Sequence, residues 1–201
     1  MKKLAFFITG LVMVSMVNAQ DNEFKTIFQN RNNTPVRVSG FGGPMMVFTS
    51  IGDNFAHLMG GGGGVMINNF FFGGYGLGLT TPVPYKNESE YDLEFGHGGF
   101  WAGFILAPNR PVHLSLSALA GWGSIKEKDP NIIALENISE HPVFVVTPVA
   151  EVEFNFSRFF KVGAGTSISF VKGPGIERTD YSFSDFARPS VFLSFKFGWF
   201  H

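Results

Sequence analysis

The sequence contains no cysteine, few charged residues and, beyond its first nineteen positions, no apolar run long enough for a membrane-spanning helix. Without cysteine the chain forms no disulfide and offers no thiol for lipid attachment. Charged residues make up 15% of the chain, against about 25% in ordinary soluble domains. A spanning helix needs about 20 consecutive apolar residues, so any membrane crossing by the main part of the chain must use strands.

The first nineteen residues have the pattern of a secretory signal peptide. Met1-Lys2-Lys3 is basic, residues 4–17 are almost wholly apolar, and Val17-Asn18-Ala19 places small residues where a signal peptidase cuts. We therefore expect residues 1–19 to be removed. The alternative is an uncleaved anchor, for which the apolar run is too short.

Removal of the signal leaves thirteen basic and sixteen acidic residues, because the signal contains two lysines and no acid. The formal charge of the mature chain is then −3. Nucleic-acid binding calls for a basic surface. The charge balance therefore argues against nucleic acid as a partner.

Apolar and small polar residues alternate with a period of two along most of the remaining chain, which is the pattern of β-strands with two different faces. In residues 112–122 the even positions are apolar and the odd positions are small or polar, with Leu119 as the exception. We count eight such segments, at 36–50, 54–67, 70–80, 92–106, 112–125, 143–156, 159–171 and 190–200.

Three features favour a barrel in lipid over a soluble β-sandwich, whose strands also alternate. The polar face carries mostly small side chains and little charge, which suits a narrow interior. Aromatic residues stand at the segment ends, as they do in the girdles of membrane barrels. Each segment has 11 to 15 residues, enough to cross a bilayer core at a tilt of about 45°.

The connections between segments alternate in length. Short ones lie at 68–69, 107–111 and 157–158, and long polar ones at 81–91, 126–142 and 172–189. Short turns at one end and long loops at the other are typical of outer-membrane barrels. The sequence thus predicts an all-β, eight-stranded antiparallel up-and-down transmembrane β-barrel over residues 36–201. Residues 20–35 are expected to be a periplasmic lead-in, with a segment that docks on the barrel or a partner as the alternative.

Three segments carry a resemblance to a known family: Gly60–Ile67, the strand FFFGGYGLGL at Phe70–Leu79, and the aromatic-ended strand Phe192–Phe200, followed by His201. On these segments the chain resembles the small eight-stranded outer-membrane β-barrel proteins, particularly the glycine- and phenylalanine-rich type of Bacteroidota. The resemblance implies a location in the outer membrane, contact with its lipids, and recognition of the last strand by the barrel-assembly machinery. It implies no activity.

A histidine and a serine stand two residues apart on one strand face, at His113 and Ser115, so their side chains lie within about 7 Å. This spacing resembles that of outer-membrane lipid A deacylases, and Glu151 or Glu153 on the next strand would supply the carboxylate of such a site. The alternative, which we favour, is a set of ordinary lumen residues joined by hydrogen bonds.

Four charged residues share one strand face: Glu151, Glu153, Lys161 and Lys196. Because unpaired charges are costly in a closed interior, we predict that they form a polar lumen network. A gate that opens a channel is the alternative interpretation. Eight strands enclose a space that side chains just fill, which makes a channel the weaker hypothesis.

Seventeen of the 25 glycines lie between Gly40 and Gly103, and five of them are consecutive. No Lys-Ser or Lys-Thr follows the run, so it is not a phosphate-binding loop. Glycines that face inward would leave room for Phe72 or Trp101, or permit strong curvature.

Glycines that face outward would leave a groove for a lipid chain or a partner protein. A period of two places Gly60, Gly62 and Gly64 on one face, opposite Gly61 and Gly63. Gly60, Gly62 and Gly64 are our candidate partner-contact wall.

His57, His97 and His113 do not have metal-binding spacing, and we expect neither a metal nor a cofactor. The sequence favours a non-catalytic outer-membrane barrel, a structural or accessory component packed against a larger outer-membrane protein. Its long loops would carry any recognition. The alternatives are a lipid A deacylase-like enzyme and a small-solute channel.

Overall fold

The computed structural model of the protein describes residues 36–84, 92–128, 140–173, 176 and 181–200. The chain divides into two units, Met1–Val36 and Arg37–His201, and the described strands all belong to the second. The expected signal peptide at 1–19 and lead-in at 20–35 lie outside the described residues. Parts of the three long loops do as well.

The described residues form nine strands and the short helix α1, Phe183–Phe186. The strands are β1 Val38–Ile51, β2 Asn54–Ile67, β3 Phe70–Leu79, β4 Asp92–Leu106, β5 Val112–Lys128, β6 Glu140–Asn155, β7 Phe160–Ile168, β8 Phe170–Lys172 and β9 Pro189–Gly198. β5 and β6 extend at the long-loop end beyond the predicted segments 112–125 and 143–156.

The strands close into a ring. Strands β1 to β7 pair antiparallel in chain order, β9 pairs with β7, and β1 pairs with β9. β8 continues β7 in the same register along β6, because Val149 pairs with Ser167 and Val146 with Phe170. β7 and β8 together therefore occupy one position in the wall. The prediction of a closed eight-stranded antiparallel barrel is confirmed.

The register determines how strongly the strands tilt. Passing once around the barrel through paired residues, from Phe48 on β1, leads back to Val38 on the same strand, ten residues earlier. Eight strands with this displacement tilt by about 40° from the barrel axis and enclose a space that side chains fill.

The seventh spanning segment, predicted as continuous over 159–171, is interrupted at Ser169. Pro148 on β6 lies beside the interruption, and a proline has no N–H with which to continue the ladder. Thr147 donates instead through its hydroxyl to Ser169 Oγ, at 3.0 Å. The interruption thus has its cause in the neighbouring strand.

The outer face of the barrel is apolar between two rims. Exposed aromatic rings lie at both ends, among them Trp122 and Phe144 at the long-loop end and Phe154 and Phe156 at the short-turn end. Phe144 and Phe154 are ten residues apart on the tilted β6, which corresponds to a band about 25 Å high. Among the side chains that the structure describes, the outer-facing strand charges all lie at the long-loop end: Asp92, Glu94, Lys126, Glu140 and Lys172.

The inner face has an aromatic part and a charged part. Phe41, Phe71 and Trp101, from β1, β3 and β4, pack edge to face with ring centroids 5.1 to 5.5 Å apart. The charged side chains come from β6, β7 and β9. Leu119, the exception to the alternation, is fully buried and adds to the apolar packing inside.

Helix α1 lies in a segment predicted as loop, and it covers the long-loop end. Phe186 packs against Phe95 and Tyr181, with ring centroids 5.3 and 5.7 Å away. The Gly52 amide donates to the Asp185 carbonyl at 2.9 Å, which ties α1 to the β1–β2 turn. Beneath Phe186 remains a cavity of about 20 Å³, room for about one water molecule. No helix in the described ranges is both long and apolar enough to cross a membrane.

Candidate functional site

A cluster of buried charged side chains, here called the lumen cluster, consists of Glu151, Glu153, Lys161, Lys196 and His113. Lys196 Nζ donates to Glu151 Oε1 and to Glu153 Oε1, each at 2.5 Å. Glu153 Oε2 also lies 3.0 Å from His113 Nε2 and 3.9 Å from Lys161 Nζ. The structure thus brings together the four charged residues predicted to share the lumen and adds His113 to them.

The strand register explains how the cluster forms. Alternation places Glu151 and Glu153 on the inner face of β6, and Glu153 pairs with Gly163 of β7. A Cβ on Gly163 would lie 2.5 Å from Ser194 Oγ. Only glycine at this position leaves room for the Glu151 side chain to extend over β7 to Ser194. In the space above Gly163, Ser194 Oγ donates a hydrogen bond to Glu151 Oε2 at 2.8 Å. Gly163 was missed in the sequence because its role depends on cross-strand register.

The aromatic side chains of the opposite wall complete the surroundings of Lys196. Its Nζ lies 4.9 Å from the ring centroid of Trp101 and 5.4 Å from that of Phe71, within the range of cation–π attraction. Trp101 Nε1 donates to Ser117 Oγ at 3.2 Å. Side chains therefore reach across the lumen from both walls at this level.

The lumen cluster is suited to hold strands together. It contains two glutamates and two lysines, whose formal charges balance. A buried ion pair adds little net stability because both groups lose water, but removal of one partner leaves a costly unpaired charge. The cluster therefore stabilises the relative positions of β5, β6, β7 and β9 more than it stabilises the fold as a whole.

The candidate catalytic residues His113, Ser115 and Glu151 do not form a hydrogen-bonded triad. Both ring nitrogens of His113 are engaged, Nδ1 with the Arg110 carbonyl at 3.1 Å and Nε2 with Glu153. Ser115 Oγ is buried and has no hydrogen-bond partner among the described residues. Glu151 bonds Ser194 and Lys196 instead. This geometry lacks the contact between base and nucleophile that activates a serine.

The three histidines considered as metal ligands, His57, His97 and His113, are engaged in separate polar contacts. His97 Nδ1 lies 3.0 Å from the Tyr75 hydroxyl, and His57 Nδ1 lies 2.8 Å from Thr80 Oγ1. Within the described ranges, no three His, Cys, Asp or Glu side chains gather as metal ligands would.

The predicted contact wall at Gly60, Gly62 and Gly64 requires a correction, because these glycines lie on the inner face. Alternate residues of β2 face the same side, and the even-numbered Leu58 and Met66 are buried in the lumen. The three even-numbered glycines therefore face the lumen as well. A Cβ on Gly62 would lie 3.2 Å from Trp101 Cε3. The prediction that inner glycines make room for Trp101 holds, whereas Phe72 is half exposed on the outer face.

A different set of glycines faces outward and forms one contiguous patch, here called the outer glycine lane. The register joins its members across β1 to β4: Gly42, Gly61, Gly63, Gly74, Gly76, Gly78, Gly96 and Gly98. At Gly76 and Gly78 a Cβ would meet no atom within 4 Å. The packing of the barrel itself therefore does not require glycine at these two positions.

The shape of the barrel resembles that of solved structures. It matches Neisserial surface protein A (NspA) over 84% of this chain and all of that one, with a TM-score of 0.53 and 13% identity. It matches Ail, the attachment invasion locus protein of Yersinia pestis, solved with the heparin analogue sucrose octasulfate, over 83% of this chain and 99% of Ail, with a TM-score of 0.51 and 14% identity. The chain has the fold of a small outer-membrane β-barrel. At such identities the likeness extends to the fold alone.

No protein-family model and no curated protein matches this outer-membrane-type barrel in sequence.

Proposed function

We propose that the protein is a non-catalytic barrel of the outer membrane, of the glycine- and phenylalanine-rich type. It serves as a structural or accessory component that packs through its outer glycine lane against a larger outer-membrane protein. The observation that carries the proposal is the free space outside Gly76 and Gly78. Glycine weakens a strand by about 0.5–1 kcal/mol relative to alanine, so its use where a side chain would fit indicates a requirement outside the barrel.

The flanks of the lane support contact with an apolar partner. Met59, Phe72, Phe100 and Trp122 surround the glycines and are exposed. Large side chains beside a strip of bare backbone form a shallow groove that another membrane segment can enter closely, as small residues allow between spanning helices. No outer-facing charge interrupts the lane in the part of the wall that the structure describes.

The geometry gives less support to the alternatives. An enzyme needs His113 directed at Ser115, and His113 is directed at Glu153 instead. A channel needs a continuous passage, but Trp101, Phe71, Lys196 and Glu151 are almost fully buried in the middle of the lumen.

A tagged barrel isolated in a mild detergent tests the proposal. Gly76→Leu with Gly78→Leu fills the lane without an internal clash and should abolish stoichiometric co-purification of a larger outer-membrane protein. Ala150→Leu with Ala164→Leu enlarges outer-facing residues of β6 and β7, away from the lane, and serves as the matched control, which should retain the partner. Isolation of the unaltered barrel alone, or equal recovery of the partner with both variants, contradicts the proposal.

A further inference from the structure

The barrel end that carries the short turns has exposed charge of one sign. Arg37 precedes β1, Arg110 lies in the β4–β5 turn and Arg158 in the β6–β7 turn, and all three are exposed. Among the described residues, no exposed aspartate or glutamate lies at this end, and Glu153 on the inner side is buried and paired. The long-loop end differs, because Asp53, Glu94 and Glu140 are exposed there.

Aromatic rings fix the depth of this rim in a membrane. Phe156 and Phe159 flank Arg158 and are 68% and 60% exposed, and Trp199, which follows β9, is 68% exposed. Rings of this kind settle at the level of the lipid headgroups. The neighbouring guanidinium groups then lie at phosphate depth or reach it by extending along the protein surface.

The two turns that carry Arg110 and Arg158 are held by hydrogen bonds. Asn155, the last residue of β6, holds the β4–β5 turn, because its amide N donates to the Pro111 carbonyl at 2.8 Å and its Nδ2 to the Arg110 carbonyl at 2.9 Å. The Phe200 amide donates to the Arg158 carbonyl at 2.8 Å. These bonds hold the backbone of both arginines in place on the rim.

We propose that this short-turn rim, with Arg110 and Arg158 as its principal cations, binds the phosphate groups of anionic phospholipids. A guanidinium donates two parallel N–H bonds to a phosphate and remains charged at all physiological pH values. Short turns of outer-membrane barrels face the periplasm, so the lipid belongs to the phospholipid leaflet on that side. The interaction would fix the depth of the barrel in the membrane.

Tryptophan fluorescence can report on the lipid beside this rim. In a Trp122→Phe background, Trp199 is the exposed reporter, and Trp101 is buried in the lumen as a constant background. The full chain is reconstituted into phosphatidylcholine vesicles that contain a minor fraction of brominated phosphatidylglycerol or of brominated phosphatidylcholine. We expect stronger quenching of Trp199 by the anionic lipid, with a preference that falls at high salt.

Arg110→Gln with Arg158→Gln should lower that preference about fivefold for each arginine. Arg110→Lys with Arg158→Lys retains the charge and should keep most of it. Lys126→Gln with Lys172→Gln, at the opposite rim, should leave quenching of Trp199 unchanged. Heat-dependent gel migration verifies that each variant is folded. Equal quenching by both lipids in the parent protein, or an unaltered preference in the glutamine variant, would overturn the proposal.

Discussion

The Cβ that Gly62 lacks would lie 2.6 Å from Cε of Met45. That distance is shorter than van der Waals contact, so Met45 occupies the space of a side chain absent from the neighbouring strand. The inner face of β2, which has no side chain at Gly62, therefore matches the shape of the apolar side chains packed in the lumen. Packing inside the barrel requires glycine at position 62, whereas it does not require glycine at the outer positions 76 and 78.

A matched pair of alanine substitutions tests this difference. Gly62→Ala should lower the free energy of unfolding by about 1–3 kcal/mol, because the filled lumen must shift to accept a methyl group. Gly76→Ala should leave it unchanged or raise it by up to about 1 kcal/mol, because the methyl group enters open space and the unfolded chain loses freedom. Urea unfolding in lipid vesicles measures both. Equal destabilisation would contradict the placement of the two glycines on opposite faces.

Lys196→Met should destabilise the barrel by about 3–5 kcal/mol, because it leaves Glu151 and Glu153 buried without their shared cation. Lys172→Met removes a lysine from the outer face at the long-loop end and should change stability by less than about 1 kcal/mol. The same urea titration compares the two variants. A Lys196→Met barrel as stable as the parent protein would show that the two carboxylates do not depend on this lysine.

Ser115→Ala should leave stability unchanged or slightly increased, because the hydroxyl that it removes is buried and has no hydrogen-bond partner within the described ranges. Ser194→Ala, in contrast, should cost about 1–3 kcal/mol, because Glu151 loses a donor. Mass spectrometry of lipid A from cells that express the parent protein or Ser115→Ala should give the same profile. A modification that depends on Ser115 would instead establish the enzyme.

Planar-bilayer recordings of the parent protein should show no steady conductance. Phe186→Ala removes the ring that covers the long-loop end and should remain closed as well, because Trp101, Phe71 and Lys196 still fill the lumen below it. Steady, size-selective current through either protein would favour the channel.

The sequence predicted the barrel well because its signals are local. Alternation at residues 112–122 identifies the inward and outward side chains of β5, and the lengths of the connections separate the two ends. Alternation also placed Glu151, Glu153, Lys161 and Lys196 on the inner face. These features depend on neighbouring residues along one strand.

The features missed in the sequence depend on contacts between distant residues. The alternation of side chains along a strand places Gly60, Gly62 and Gly64 on one face of β2 and Gly61 and Gly63 on the other. Which of the two faces is the inner one depends on the packing of β2 against Met45 and Trp101. The role of Gly163 depends on its place between two strands that meet only in the closed barrel. Helix α1 has four residues, too few to give a periodic pattern.

The position of Lys196 on β9 has a consequence for the order of assembly. Glu151 and Glu153 belong to β6, and their shared cation arrives more than forty residues later, on the strand that completes the ring with β1. In a hairpin of β5 and β6 alone, the two acids face the interior, and no lysine among the described side chains of the hairpin shares that face. β7 adds Lys161 beside Glu153, but Glu151 gains its lysine only with β9. Neutralisation of the interior is therefore completed only when the wall closes, and a barrel that lacks β9 retains an unpaired Glu151 carboxylate.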